Sequence, residues 1–261
     1  MKLSIITINY NNACGLEKTF DSVFSQSFKE FEYIVIDGGS SDGSAEIIRE
    51  YTERLSYWVS EKDKGIYNAM NKGVTKASSD YLFFLNSGDF LIDPDIMYSM
   101  LKYLDGTDIV YGNLLIQESD KQWEKKYPAS PTFDYFIKHT IPHSGGAFIK
   151  KSLFDKVGLY DERLKISSDW KFYVEAICKQ NASIKYVDKA VSVFAFDGIS
   201  SEAGSWDIVL KERREVLQKE YSRFYQDYEE YNSMKGRYKA LANSRFMRLY
   251  LKIKSMFSFK F

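Results

Sequence analysis

The apolar and polar positions of residues 1–90 alternate between two periods. Short apolar runs at Leu3–Ile8, Phe31–Ile36, Tyr57–Ser60 and Tyr81–Leu85 are each closed by Asn, Asp, Gly, Ser or charged residues, the mark of strands buried on both faces. Between them, apolar residues recur at helical spacing: Leu16, Phe20, Val23 and Phe24, then Ile47, Ile48, Tyr51 and Leu55, then a segment from about Ile66 to Lys76. The resulting order, β-α-β-α-β-α-β, predicts a parallel sheet covered by helices. Polar and glycine-rich residues follow each strand, where an open sheet of this kind holds its ligand.

Beyond Asp93 the pattern loosens. It predicts a helix over Ile96–Leu104, a strand over Asp108–Gly112 and a polar hairpin from Leu114–Ile116 and Trp123–Lys126. A turn and strand follow over Ile141–Ile149, then a short helix, Leu153–Val157, and an exposed turn, Gly158–Glu162. Ser168-Asp169 opens an amphipathic helix, Trp170–Ile177, and Val187–Phe196 supplies the last strands. Val209–Tyr238 reads as helical with charge on most faces, and Arg245–Phe261 alternates bulky apolar residues with cations. The expectation is an α/β domain over residues 1–205, with a mostly parallel central sheet and helices on both faces. Residues 1–105 form its regular, nucleotide-binding half and 106–205 a varied acceptor half, and a helical, basic-aromatic tail spans 206–261.

Composition changes this picture little. With 44% apolar and 28% charged residues among 261, the chain has the make-up of an ordinary globular protein with ample core. Zero net charge points to no nucleic-acid partner. Cys14 and Cys178 have no metal or disulfide spacing. The N-terminus enters a strand directly without a signal-peptide pattern, and no apolar run is long enough to span a membrane. The balance of charge is uneven, however. Eight Lys and Arg and no acid follow Glu230, so the first 230 residues carry eight excess negative charges.

Candidate chemistry begins where the run Tyr81–Leu85 stops at Asn86-Ser87-Gly88-Asp89. Asp89 stands at the mouth of the crevice, suited to hold a hard divalent cation against a phosphate. The plainer alternative is a turn whose aspartate caps the next helix.

Five motifs occur in order: Thr7-Ile8-Asn9-Tyr10-Asn11, Asp37 through Ser44, Asp63-Lys64-Gly65-Ile66-Tyr67-Asn68-Ala69-Met70-Asn71-Lys72-Gly73, Leu85-Asn86-Ser87-Gly88-Asp89 and Ser168-Asp169-Trp170. Together they resemble the bacterial family 2 inverting glycosyltransferases, with the nucleotide-diphospho-sugar transferase (GT-A) fold, over roughly residues 1–200. The likeness is closest to members from capsule and colanic-acid type exopolysaccharide clusters. It implies transfer of a sugar from a nucleotide sugar, UDP-linked, to a lipid-linked or growing polysaccharide acceptor.

The same resemblance assigns residues. Thr7, Asn9, Tyr10, Asn11, Asp37, Gly38, Asp63, Lys64, Asn71, Asn86, Ser87 and Gly88 would bind the donor, with Asp42 a further partner for base or ribose. The family's usual Asp-Asp-Gly-Ser has Gly38 at its second position here. Asp89, with His143, would hold Mn2+ or Mg2+, although two carboxylates of the family's Asp-x-Asp-Asp are Asn86 and Gly88. Asp169 would be the general base that takes the acceptor hydroxyl's proton, in a motif where Ser168 replaces the family's glutamate. The alternative is that Asp169 caps its helix. His143, Gly145, Gly146 and Trp170 would line the acceptor, with Tyr160 and Trp206 available to stack on sugars, and His139 is bland surface. The tail suits an anionic membrane surface, implying a peripheral protein on the inner face of the cytoplasmic membrane; a homodimer contact is the alternative. Competing readings are nucleotidyl transfer on a related fold and an inactive carbohydrate-binding scaffold.

Overall fold

Four parallel strands form where the alternation requires them. In the computed structural model, which describes residues 2–118, 121–195, 204–244, 246–247 and 249–250, they are β1 (Leu3–Asn9), β2 (Phe31–Asp37), β3 (Tyr57–Ser60) and β4 (Tyr81–Phe84). They lie in the order β3-β2-β1-β4, with Leu3 opposite both Phe31 and Tyr81. Every residue of β1 and β4 is buried, because helices cover both faces. Leu3 and Ile5 share a cluster with Leu16, Phe20 and Val23 of α1 (Ala13–Phe24) and Ile48 of α2 (Ser44–Glu50). Ile6, one residue on, points to the opposite face. There α3 (Ile66–Lys76) comes so close that a Cβ on Gly73 would lie 2.6 Å from Ile6 Cγ2. Each fully buried side chain of this kind contributes about 1.5–3 kcal/mol.

The lower end of this half is pinned by Glu32. Its carboxylate accepts hydrogen bonds from the Ser4 hydroxyl and from both the N–H and the hydroxyl of Ser78 and of Ser79. One side chain thus ties β1, β2 and the entry to β4. Burial alone would raise its pKa, but these donors outweigh that and bring it down to about 2.

The second half reverses direction. β8 (Ala147–Lys150) enters antiparallel beside β4, and β6 (Ile109–Glu118) follows antiparallel beside β8. β9 (Ile184–Ala195) is parallel to β6, and β5 (Phe90–Leu91) closes the edge against β9. β7 (Lys121–Lys125) hangs from β6 as the outer arm of a hairpin. The sheet is therefore parallel in its first half and mixed beyond, with nine strands among the described residues. The separate strand and hairpin arm expected at 108–116 are one strand. Gly112 lets the β9 backbone approach at a bulge, where a Cβ would meet Lys189 O at 2.5 Å, so the glycine bends the strand rather than ending it.

Shorter helices fill in around this half: α4 (Ile96–Leu101), α5 (Phe133–Lys138) and α6 (Lys151–Val157). The helix at Asp169 is α7 (Ser168–Tyr173), which passes into a π-helical turn over Val174–Lys179. The chain divides into two compact units, residues 1–212 and 213–261, and α8 (Ser205–Glu220) runs across that division. The second unit contains α9 (Ser222–Ala242). Arg245, Arg248 and residues 251–261, the end of the basic-aromatic tail, lie outside the described residues. No described helix is long and apolar enough to cross a membrane.

Candidate active site

Because β1 to β4 are parallel, the turns after them open at one end of the sheet. At the centre of that end is Asp37, fully buried. Its carboxylate accepts from Asn9 Nδ2 (2.7 Å), Ser40 Oγ (2.5 Å), Ser40 N (3.0 Å) and Ser60 Oγ (2.6 Å). Burial would raise its pKa, yet the four donors more than offset that and hold it below the ordinary carboxylate range. Four donors use the acceptor positions of a carboxylate, so Asp37 is a structural node rather than a base contact. Asn9, 1% exposed, orients it. Thr7 is likewise internal, donating to Leu85 O at 2.8 Å and pairing with Tyr33 OH at 3.0 Å. Asp42 is occupied by Ala13 N and by Ser44 N and Oγ, at the starts of α1 and α2. Asn11, at φ 48°, braces the glycine-rich turn by accepting from Ser41 N and donating its own N–H to Ser40 Oγ.

Tyr10 and Asp63 meet over Gly38, the first exposed and the second half-buried. Tyr10 is 64% exposed. A Cβ at Gly38 would lie 2.6 Å from Asp63 Oδ2 and 3.1 Å from Tyr10 Cδ2. The missing side chain at 38 is thus matched by an acid arriving from the loop after β3. Asp63 is steadied by Gly65 N at 2.9 Å, and Lys64 is exposed beside it. Asn71 does not join this group. It is buried, and its amide holds the 158–162 turn through Tyr160 N, Tyr160 O and Glu162 Oε1, each at 2.9 Å.

The motif after β4 curls back over α1. Gly88, at φ 100°, donates to Thr19 Oγ1, which itself donates to Asp89 O at 2.7 Å, and Ser87 O accepts from Asn12 Nδ2 at 3.0 Å. Asp89 is 5% exposed, with Oδ2 accepting from Ser144 Oγ at 2.9 Å and Oδ1 from Ala195 N at 3.2 Å. Ser144 Oγ also accepts from Asn86 N at 3.0 Å, so the 142–146 loop is fastened to the whole motif. Asp89 caps no helix; the residue before α4 is Asp95.

His143 is not presented as a metal ligand. Its ring stacks on Phe84 at 5.0 Å, and Nε2 shares a hydrogen bond of 2.7 Å with Tyr160 OH. Burial keeps the imidazole neutral against the pull of the Asp169 charge. Asp89 is therefore the one carboxylate of its motif, and among the described residues no three His, Cys, Asp or Glu side chains converge on a common point. Such a donor set fits a cation that takes its remaining ligands from a bound diphosphate and water.

Asp169 opens α7 but does not cap it; the residue before the helix is Ser167, and no side-chain cap bond forms. Its Oδ1 instead accepts from Tyr67 OH at 2.9 Å, and the same hydroxyl reaches Ile166 O. Burial first, then the Asp169 charge, pushes the Tyr67 phenol well above its ordinary pKa, so it stays a donor. The Asp169 charge is felt at Tyr160 and Tyr173 as well as His143. Tyr67 OH is thus the hydroxyl in direct contact with the carboxylate, while Tyr160, Tyr173 and His143 feel its charge from further off. The segment ahead of it is held by Glu212 of α8, which accepts from Lys165 N (2.5 Å), Ile166 N (3.1 Å) and Ser167 N (3.0 Å).

Several expected acceptor residues are interior. Trp170 is fully buried, its Nε1 donating to Phe136 O at 2.6 Å, and Tyr160 is 3% exposed. Both are core, as bulky aromatics beside a buried helix face tend to be. Gly145 and Gly146 are required by packing: a Cβ would meet Ser192 Oγ at 2.1 Å and Pro142 Cβ at 2.5 Å, respectively. Trp206 is 59% exposed. Tyr67 and Glu212 were not anticipated as site residues, and Ser144, expected within the acceptor wall, instead fastens the turn after β4. Tyr67 lay inside a recognised motif, whereas nothing local marks Glu212.

Fold and site together define a glycosyltransferase of the GT-A class. Residues 4–158 match the family described as glycosyl transferase family 2. An uncharacterised glycosyltransferase of Mycobacterium tuberculosis is 34% identical over 182 residues, covering 67% of this chain and 68% of that one. The chain belongs to glycosyl transferase family 2. A Mycobacterium bovis PGL/p-HBAD biosynthesis glycosyltransferase is 27% identical, over 76% of this chain and 78% of its own. Among solved structures, Staphylococcus aureus TarS 1–349 in complex with UDP-GlcNAc superimposes with a TM-score of 0.64 at 19% identity, over 80% of this chain and 64% of that one. The Pyrobaculum calidifontis mannosyltransferase in complex with GDP-Man and Mn2+ gives 0.60 at 15% identity, over 97% and 84%.

Proposed function

We propose that this protein transfers a sugar from a nucleotide-sugar donor, UDP-linked, to a hydroxyl of a lipid-linked or growing polysaccharide acceptor, inverting the anomeric centre in a single displacement. The observation that carries the reading is Asp169: a half-buried carboxylate at a helix start that caps nothing and is aimed by Tyr67. As general base it takes the acceptor hydroxyl's proton as that oxygen attacks the sugar's C1 and the bond to the diphosphate breaks. The donor's base stacks on Tyr10 with Asp63 as hydrogen-bond acceptor, and Lys64 answers the diphosphate charge. The UDP-GlcNAc complex of TarS supports a UDP donor.

Asp89 would hold Mg2+ or Mn2+ arriving with the diphosphate, and the Mn2+ in the mannosyltransferase neighbour supports that reading. Bound there, the cation would neutralise charge on the leaving group. A lipid-linked acceptor agrees with a peripheral position on the inner face of the cytoplasmic membrane, through the cationic, aromatic residues after Ser244.

The test is transfer from a panel of labelled nucleotide sugars, compared between wild type and Asp169→Asn, with donor binding followed by calorimetry. Transfer should vanish while donor affinity holds. An active Asp169→Asn enzyme refutes the base assignment. If wild type binds donors but catalyses neither transfer nor donor hydrolysis, a binding scaffold is the better account.

A further inference from the structure

Helix α9 carries an unusual surface. Phe224, Tyr231, Met234, Tyr238 and Leu241 are 71%, 50%, 61%, 72% and 56% exposed. With Asp227 they fall at alternating steps of three and four residues, the a and d positions of three successive heptads. The strip is narrow and flanked by Arg223, Glu230, Lys235 and Arg237. A lipid surface favours a broad apolar face with cations opposite, whereas a seam one side chain wide between acids and bases is what a partner helix covers.

We propose that α9 pairs with α9 of a second copy of this chain in an antiparallel, two-stranded coil. The pattern is self-complementary in that direction. Laid antiparallel about a centre between Tyr231 and Met234, Tyr231 faces the other copy's Met234, Phe224 faces its Leu241 and Asp227 faces its Tyr238. Four of the five apolar anchors meet one another, and the fifth, Tyr238, meets the one acidic seam residue with a phenol able to donate to it. Along the flanks, Glu230 of each copy lies beside Arg237 of the other, giving two symmetric ion pairs, and Tyr228 lies beside Lys235. A parallel arrangement would instead bring the two Asp227 carboxylates face to face in the seam, an arrangement of like charges that costs free energy. A twofold axis across the seam is also the commonest symmetry of homo-oligomers.

Light scattering of the full-length chain over a concentration series provides the test, with far-ultraviolet circular dichroism to establish that each variant remains folded. Wild type should dimerise, and Met234→Glu, at an exposed helix position, should leave a folded monomer. Glu230→Arg sets two Arg–Arg contacts in place of the ion pairs and should raise the dimer dissociation constant by about tenfold or more. Glu230→Arg with Arg237→Glu should restore wild-type association, because the pair is only exchanged. A wild-type monomer at tens of micromolar, a dimer indifferent to Met234→Glu, or a double variant no better than Glu230→Arg overturns the proposal.

Discussion

Replacing Glu212 by alanine should be felt at a residue it does not touch. Its carboxylate takes three consecutive backbone N–H groups, from Lys165, Ile166 and Ser167, and Asp169 lies two residues further on. Hydrogen bonds to a charged acceptor are worth about 1.5–3 kcal/mol each. Lys165 is exposed and Ile166 half-buried, so water can replace the carboxylate at those two groups. Ser167, 1% exposed, is left with a buried donor. The loss is then about 3 kcal/mol, nearly all of it from Ser167 and the weakened neighbours. For a protein of this size that lowers the melting temperature by about 6–12 °C. Catalysis should fall further than folding at a temperature where the variant is still native. The segment no longer fixes the start of α7, and small misplacements of a general base cost about a hundredfold in rate. Scanning fluorimetry and steady-state kinetics would be run together on wild type, Glu212→Ala and Glu212→Gln. The glutamine keeps one acceptor oxygen and should lie between the other two. Reduced kcat with an unchanged KM for the nucleotide sugar is expected. A Glu212→Ala enzyme that melts and turns over like wild type would refute the argument.

Other perturbations read different parts of the site. Gly38→Ala pushes a methyl against Asp63 Oδ2 and should weaken UDP binding about tenfold in a calorimetric titration while leaving Asp169 chemistry intact. Glu32, with its pKa lowered to about 2, contributes stability that is complete above the ordinary carboxylate pKa and is lost as pH falls toward 2. Solvent screening leaves about 1 kcal/mol of it, so urea midpoints of wild type and Glu32→Gln should differ at pH 7 and draw together as pH falls through about 2. Mn2+ alone should not shift the melting temperature, whereas Mn2+ with UDP should, and Asp89→Asn should remove the metal-dependent part of that shift.

The strands and helices of residues 1–90 were legible because each has a clean period and a turn of characteristic residues. The start of α7 at Ser168-Asp169 was legible from its motif. The roles of neighbouring polar residues were not. Thr7, Asn9, Asp37 and Asn71 stand at strand ends or in motifs beside a ligand cleft, where a sequence reads them as ligands. The fold spends them on internal hydrogen bonds, Asn9 on Asp37, Thr7 on Tyr33 and Leu85, and Asn71 on Tyr160 and Glu162, since each is buried. Trp170 was misread for a related reason: a tryptophan next to a candidate general base can stack on a sugar or fill the core behind it, and only burial decides. The Glu212 contact crosses more than forty residues of sequence, and no local pattern encodes such a partner. Gly38 and Asp63 illustrate the opposite case. The family's second acid is missing from its usual place, and an acid from another loop stands within reach of the same space.

Ser144 carries a last implication. One hydroxyl grips both Asn86 N and Asp89 Oδ2, so the loop that bears His143 cannot shift without disturbing the turn after β4. A ligand that moved that loop on docking would therefore alter how tightly a second ligand beside the turn is held, and thermodynamic reciprocity would make the two effects equal in size. Ordered addition of the two substrates, with the first sharpening the pocket for the second, would be the kinetic expression of a single serine side chain.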